Sequence, residues 1–285
     1  MYGFFGVGGH PLSMPVIGNR ECVMNLTLEQ VVEYKRKIFS KGNIALIITG
    51  NITENNKKYV EEYLGNLTLA ENICRDIDFS NFRKNCAQIK FEKCQWDCVD
   101  ITLAFRVDRT ESKSELMLLN SILGGGTGAK LQYTLRESRG LTYDIYSYVE
   151  NYTEGSTIKI SLTTHKNNIC DCMKSIVEVI DSIKHEISQC DMDTNLPYFT
   201  ENLWYWLEDT ELLNSEMGWE LSIRYEPHTV EERIALYQNV TAEKIVKLAR
   251  KIFLPQNISL LISGDVKNIT KKSVSQILEA LDDKS

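Results

Sequence analysis

The chain has 285 residues, 43% hydrophobic and 25% charged, with a net charge of −7. That length and balance suit a soluble globular protein of one large or two ordinary domains. The acidic excess argues against a nucleic-acid surface, which needs clustered Lys and Arg, and no apolar run reaches the eighteen residues of a membrane-spanning helix.

Residues 1–24 read as irregular, with four glycines before position 10 and then His10-Pro11. They lack the basic and long apolar regions of a signal peptide, so the cytoplasm is the default location. A helix is predicted from Thr27 to Ser40, with Thr27 as N-cap, Gln30 completing a capping box, and an apolar stripe of Val31, Tyr34 and Ile38. Ile44 to Thr49 has the length and continuous apolar character of a strand, ended by Gly50. A second helix follows at about Glu54–Leu64. Residues 68–85 have mixed polarity and read as a linker.

Beyond the linker, strands are predicted at Ile89–Lys93 and Ile101–Val107. In the latter Ile101, Leu103, Phe105 and Val107 share a face. Ser112 and Glu115 open a helix through Leu123. Gly124, Gly125 and Gly126 break it, and helix resumes from Lys130 to Arg139. Two strands follow, about 143–150 and 156–163. A long amphipathic helix covers about Asn168–Ser188, with Met173, Ile176, Ile180, Ile183 and Ile187 at helical spacing. A helical stretch spans roughly 195–222, a shorter helix about 229–237, and a helix–strand–helix unit 241–283. Hairpin-like strand pairs between long helices indicate an α+β sandwich: an antiparallel sheet with helices packed on one face.

That last unit repeats the first. Asn25–Leu67 aligns without a gap to Asn239–Leu281, 214 positions later. Pairs such as Thr27/Thr241, Phe39/Phe253, Asn43/Asn257 and Gly50/Gly264 are identical, and most others exchange apolar residues. A duplicated domain follows. If the second copy begins near residue 86, about 128 residues of the first copy have no counterpart in this chain.

Few motifs carry chemistry. GGGTGAKL departs from the phosphate-binding G-x-x-x-x-G-K-[ST] pattern and joins two helices, so it reads as a helix-breaking turn or a ligand-lining loop. The eight cysteines lack the C-x2-C spacing of structural zinc sites and read as free, mostly buried thiols. Trp204, Tyr205 and Trp206 read as packing residues, with room for one exposed ring. His185 reads as exposed, and His10 as a loop residue. Taken alone, Arg136 is a surface helix residue and Tyr143 a core strand residue.

The segment LGGGTGAKLQYTLRESRGLTYDIYS, Leu123 to Ser147, is the most specific in the chain. It resembles the C-terminal domain signature of the M16 (insulinase or pitrilysin-like) zinc metallopeptidases, whose glycine-rich turn leads into a helix ending near R-E-x-x-G-L-x-Y. HPLSMPVIG resembles the loop closing the first M16 domain, and the repeated units resemble the last third of each domain. The resemblance implies a LuxS/metallohydrolase-like sandwich. Residues 1–67 would be the tail of a first domain and 86–285 a nearly complete second, non-zinc domain.

In active members the first domain carries H-x-x-E-H and a distal Glu that bind zinc. Here His10, His165, His185 and His228 form no such motif. The expectation is therefore no metal in this chain, with zinc on a partner or a missing segment. An Arg and a Tyr of the family's second domain reach toward the substrate, and Arg136 and Tyr143 match that pair. Gly124, Gly125 and Gly126 stand where mitochondrial processing peptidase α-subunits carry a substrate loop, without its insertion. The resemblance implies the substrate-binding half of a peptidase. It would bind peptide and pair with a zinc-bearing subunit as a heterodimer, or self-associate. The other readings are a non-catalytic structural protein of the same fold and a fragment of a longer peptidase.

Overall fold

The computed structural model describes residues 12, 14–67, 69–70, 88–96, 98–126, 128–224, 227–267 and 269–282. His10 and nearly all of the expected linker lie outside them. The strands β1 (Gln88–Lys93), β2 (Cys98–Asp108), β3 (Thr142–Asn151), β4 (Gly155–His165) and β5 (Ile258–Gly264) form one sheet in the order β1-β5-β2-β4-β3. All neighbours are antiparallel except β1, which runs parallel to β5. Alternation in β2 puts Val99, Ile101, Leu103, Phe105 and Val107 on one buried face. Helices cover that face.

Among them α4 (Lys113–Asn120), α5 (Ile169–His185), α9 (Ala242–Ile252) and α10 (Lys271–Leu278) build the core. Ile176, Ile180 and Ile183 of α5 pack with Leu248 and Ile252 of α9 and Val274 and Leu278 of α10. Phe105 meets Phe253 edge to face, with centroids 4.9 Å apart. Lys184 is buried at the end of α5, where its Nζ donates to the Leu281 carbonyl at 2.6 Å. The opposite sheet face is polar, with Thr102 and Ser161 hydroxyls 3.4 Å apart and Lys159 paired to Glu150 at 2.5 Å.

The predicted stretch 195–222 is two helices, α6 (Gln189–Tyr205) and α7 (Thr210–Arg224), followed by α8 (Val230–Gln238). The Asp209 carboxylate accepts from the Glu211 and Leu212 amides, so the chain breaks and restarts there. A short helix α1 (Arg20–Met24), capped by Asn19, lies in the segment read as irregular. Of the cysteines, Cys22, Cys94, Cys98 and Cys190 are exposed and only Cys172 is buried among the described residues. This corrects the expectation of mostly buried thiols. Cys94 and Cys98, for example, flank the β1–β2 connection, away from the helix-covered face.

The first copy folds locally like the second. Helix α2 (Leu28–Ile38) starts with the Thr27/Gln30 capping box, and α3 (Glu54–Leu64) follows. Phe39 and Phe253 end their helices with nearly the same backbone angles (φ/ψ −81/69 and −84/67). Gly50 and Gly264 both take positive φ. Burial separates the copies. Leu46 is 54% exposed and its counterpart Leu260 1%; Phe39 is 53% exposed and Phe253 0%. Val31, Tyr34, Ile44 and Ile48 are likewise exposed where Ile245, Leu248, Ile258 and Ile262 are buried. The expected strand Ile44–Thr49 takes no regular secondary structure and pairs with no strand among the described residues. It is instead held against α7: Asn214 Nδ2 donates to the Ile47 carbonyl at 3.0 Å, and Thr49 Oγ1 to the Thr210 carbonyl at 2.7 Å.

Candidate functional site

Arg136 lies on a π-helical turn, Gln132–Ser138, and Tyr143 at the start of the edge strand β3. Such wide turns often mark functional sites, because the extra residue re-aims side chains. Leu135 is the buried residue of this turn. It anchors the segment, leaving Arg136 half exposed. Arg139, three residues on, is committed to structure: it donates to Ser175 Oγ and Glu178 Oε2, each at 2.6 Å, tying the turn to α5. Gly140, at φ +59, reverses the chain into β3, a conformation that Gly adopts freely.

Tyr143 is 83% exposed, so it is no core residue. The reason is a bulge. Thr142 pairs with Thr164 and Asp144 with Thr163, which leaves Tyr143 unopposed. The Thr142 hydroxyl lies 2.6 Å from the Thr163 carbonyl and 3.0 Å from that of Asp144, which it serves as donor across the irregularity. Tyr143 and Asp144 are both exposed before alternation resumes at buried Ile145. The bulge brings Tyr143 under Arg136, whose guanidinium carbon lies 5.2 Å from the ring centroid. Arg136 also meets Glu137, with 3.4 Å between Nε and Oε1. The pair thus presents a cation and a phenol side by side on an open surface. The family resemblance named both residues but gave no sign of the bulge.

The three glycines occupy a second π-helical turn, Ser121–Gly125, and the residue after it. A Cβ on Gly124 would lie 2.9 Å from the Ser147 backbone nitrogen, and one on Gly125 2.4 Å from Asn120 Nδ2. Close packing of the turn against β3 and α4 therefore demands glycine here. Lys130 then pairs with Asp191 at 2.9 Å, pinning the segment to α6.

The described residues do not fit a zinc ion: among them, no three His, Cys, Asp or Glu side chains cluster as ligands. His165 Nδ1 accepts from the Asn167 amide at 3.3 Å, exposed His185 sits on the Asp181 carbonyl at 2.8 Å, and His228 lies 3.3 Å from Glu220. Among the described residues no helix is long and apolar enough to cross a membrane.

Comparison with known proteins places the chain in a family. The peptidase M16 inactive domain matches residues 25–195. The uncharacterized zinc protease YmxG of Bacillus subtilis is 24% identical over 259 residues, covering 90% of this chain and 62% of that protein. An uncharacterized zinc protease of Mycobacterium tuberculosis strain H37Rv is 21% identical over 280 residues, covering 96% and 63%. The chain thus spans less than two thirds of the length of these relatives. In fold it is similar to a peptidase M16 inactive domain from Pseudomonas fluorescens, with TM-score 0.80 and 20% identity, covering 90% of this chain and 62% of that one. It is also similar to a chain of complex III2 from Candida albicans, with TM-score 0.79 and 12% identity, covering 97% and 68%.

Proposed function

This chain belongs to the peptidase M16 family, and from that premise we propose that it supplies the substrate-contacting, non-zinc half of a zinc peptidase. The observation that carries the reading is the bulge that exposes Tyr143 beneath Arg136 on the sheet edge. A forked guanidinium at Arg136 suits a substrate carbonyl or carboxylate. The Tyr143 phenol is a donor for the carbonyl oxygen as it gains negative charge. An extended peptide would lie beside β3, which is an edge strand of the sheet, in the manner of strand addition. Of Gly124, Gly125 and Gly126, the exposed Gly125 and half-buried Gly126 would border its path, while buried Gly124 holds the turn against β3.

Zinc belongs, in this reading, to a partner subunit or a further segment, and acts there to polarise the scissile bond. Residues 1–67 serve as the tail of a first domain and 86–285 as the second, joined by 68–85. The exposed apolar face of the first copy supports that arrangement, because the same positions are covered in the second copy. The working location is the cytoplasm.

Mixing the chain with a zinc-bearing M16 subunit and following cleavage of an unfolded peptide tests the proposal. Cleavage should rise on mixing, and Arg136→Ala should abolish the rise. Equal behaviour of wild type and variant rejects the role of Arg136. A stable complex with partners lacking zinc, and no cleavage, favours a structural subunit.

A further inference from the structure

Strand β3 carries two side-chain pairs of the same make-up, a tyrosine ring and a carboxylate two residues apart. Register with β4 puts Asp144, Tyr146, Tyr148 and Glu150 on one face, opposite Thr163, Ser161, Lys159 and Thr157. This is the polar face of the sheet, since Ile145 and Ser147 between them are buried on the other. The Tyr148/Glu150 pair holds a cation. Lys159, 3% exposed, meets Glu150 Oε2 at 2.5 Å and lies 5.6 Å from the Tyr148 ring centroid.

The Asp144/Tyr146 pair mirrors that arrangement, with no cationic side chain against it among the described residues. Neighbouring charges are already matched: Arg136 meets Glu137 at 3.4 Å, and Arg139 meets Glu178 at 2.6 Å. The Thr163 hydroxyl, opposite Asp144, donates instead to Asp100 at 2.7 Å. Asp144 is exposed and Tyr146 is 43% exposed. Tyr146 stacks on Tyr148 with centroids 5.7 Å apart, and Asp144 comes next to it on the other side along the strand.

Spacing selects the shape of a ligand here. Residues two apart on a strand stand about 6.7 Å from each other. A flat cation stacked about 3.5 Å from a ring and hydrogen-bonded at about 2.8 Å to a carboxylate fits between them. A guanidinium is flat, stacks on aromatic faces and donates in a fork.

We propose that Asp144 and Tyr146 form a clamp for an arginine side chain of the peptide that lies beside β3, and so set substrate specificity. The inference rests on the peptidase reading for the presence of that peptide. In an added strand, the side chains opposite Asp144 and Tyr146 fall on the same sheet face as theirs. Tyr146 stands three residues beyond Tyr143, so the arginine lies roughly 10 Å along the peptide from the bond held at Tyr143.

Peptide binding to the full chain alone tests the clamp. The probes are a threonine–serine decapeptide with one central arginine and the same peptide with citrulline, the neutral isostere, titrated by ligand-observed NMR. The arginine peptide should bind about fivefold tighter, the joint effect of an exposed ion pair and a cation–π contact. Asp144→Asn should bring it to the citrulline level. Tyr146→Leu should remove most of the preference, and Tyr146→Phe, which keeps the ring, should retain it. All three variants should melt with wild type, because both positions are exposed. Equal affinity of wild type for the two peptides overturns the proposal. So does an arginine preference that survives Asp144→Asn, or no saturable binding of either peptide at millimolar concentration. Cleavage assays with a zinc-bearing subunit separate the two readings. Cleavage with no arginine preference keeps the peptidase reading and rejects the clamp; arginine preference without cleavage keeps the clamp and rejects the peptidase reading.

Discussion

The guanidinium carbon of Arg136 sits 5.2 Å from the ring centroid of Tyr143, one residue on a π-helical turn and the other at a β-bulge. Each irregularity alone leaves a side chain in solvent; together they place a cation over a phenol. Both are substantially exposed, so neither contributes much to the core. Tyr143→Phe should leave thermal stability within about 0.5 kcal/mol of wild type, as for surface changes generally. In the presence of the zinc-bearing subunit it should lower kcat by about 10²-fold, the usual effect of removing one donor to a developing oxyanion. Arg136→Lys should also fall short of wild type, because an ammonium cannot reproduce a forked contact. Peptide-cleavage kinetics alongside thermal melts check both.

Gly124 makes a prediction about stability rather than activity. Its Cα faces the Ser147 backbone nitrogen so closely that an added Cβ would stand 2.9 Å from it, and backbone cannot swing aside as a flexible side chain can. Gly124→Ala should therefore destabilise by about 1–3 kcal/mol, the range for overpacking. Gly128→Ala has open space around its Cβ but a φ of +73. It should cost about 1 kcal/mol, from backbone strain alone. Urea denaturation of the two variants separates crowding from strain.

Asp191 makes stability depend on pH. Partial burial alone would raise its carboxyl, but hydrogen bonds from Lys130 and Ser188 outweigh that and hold it below its ordinary value of 3.8. The group caps α6 and ties it to the glycine turn. A carboxyl with depressed folded-state pKa stabilises the fold above the unfolded value and loses that contribution as pH falls through the folded one. Asp191→Asn should therefore lower the melting temperature at pH 7. The gap to wild type should shrink below pH 3.8. A gap that stays constant down to pH 2 would show that the ion pair and cap carry no net stabilisation.

Much of this architecture was legible in the residues. Period-2 alternation in β2 and the isoleucine spacing of α5 announced their buried faces, because each packs one side on a core. Pairing was less legible. β1 lies parallel to β5, more than 160 residues away, and local pattern carries no record of such a partner. The bulge at Tyr143 escaped because it depends on register with Thr163 and Thr164 of β4. The Ile44–Thr49 segment has the composition of a strand. Its counterpart β5 is one only because β1 and β2 flank it. Hydrophobic pattern records what a segment is built to be buried against, whether or not that surface is in the same chain.

That principle yields the sharpest comparison between the copies. Leu46 and Leu260 occupy equivalent positions, one 54% and the other 1% exposed. Leu260→Ala should cost about 2–5 kcal/mol, since it empties a packed site. Leu46→Ala should change the isolated chain by about 0.5 kcal/mol or less, as at exposed positions. The row of exposed apolar residues through Val31, Tyr34, Phe39 and Leu46 should also drive self-association, as large apolar patches do. Leu46→Lys should reduce that association in sedimentation velocity without lowering the melting temperature. If a partner covers this face as β1, β2 and the core helices cover the second copy, its binding should protect the 44–49 amides from hydrogen exchange, and Leu46→Lys should weaken the complex. Unchanged exchange at those amides on mixing would place the partner elsewhere.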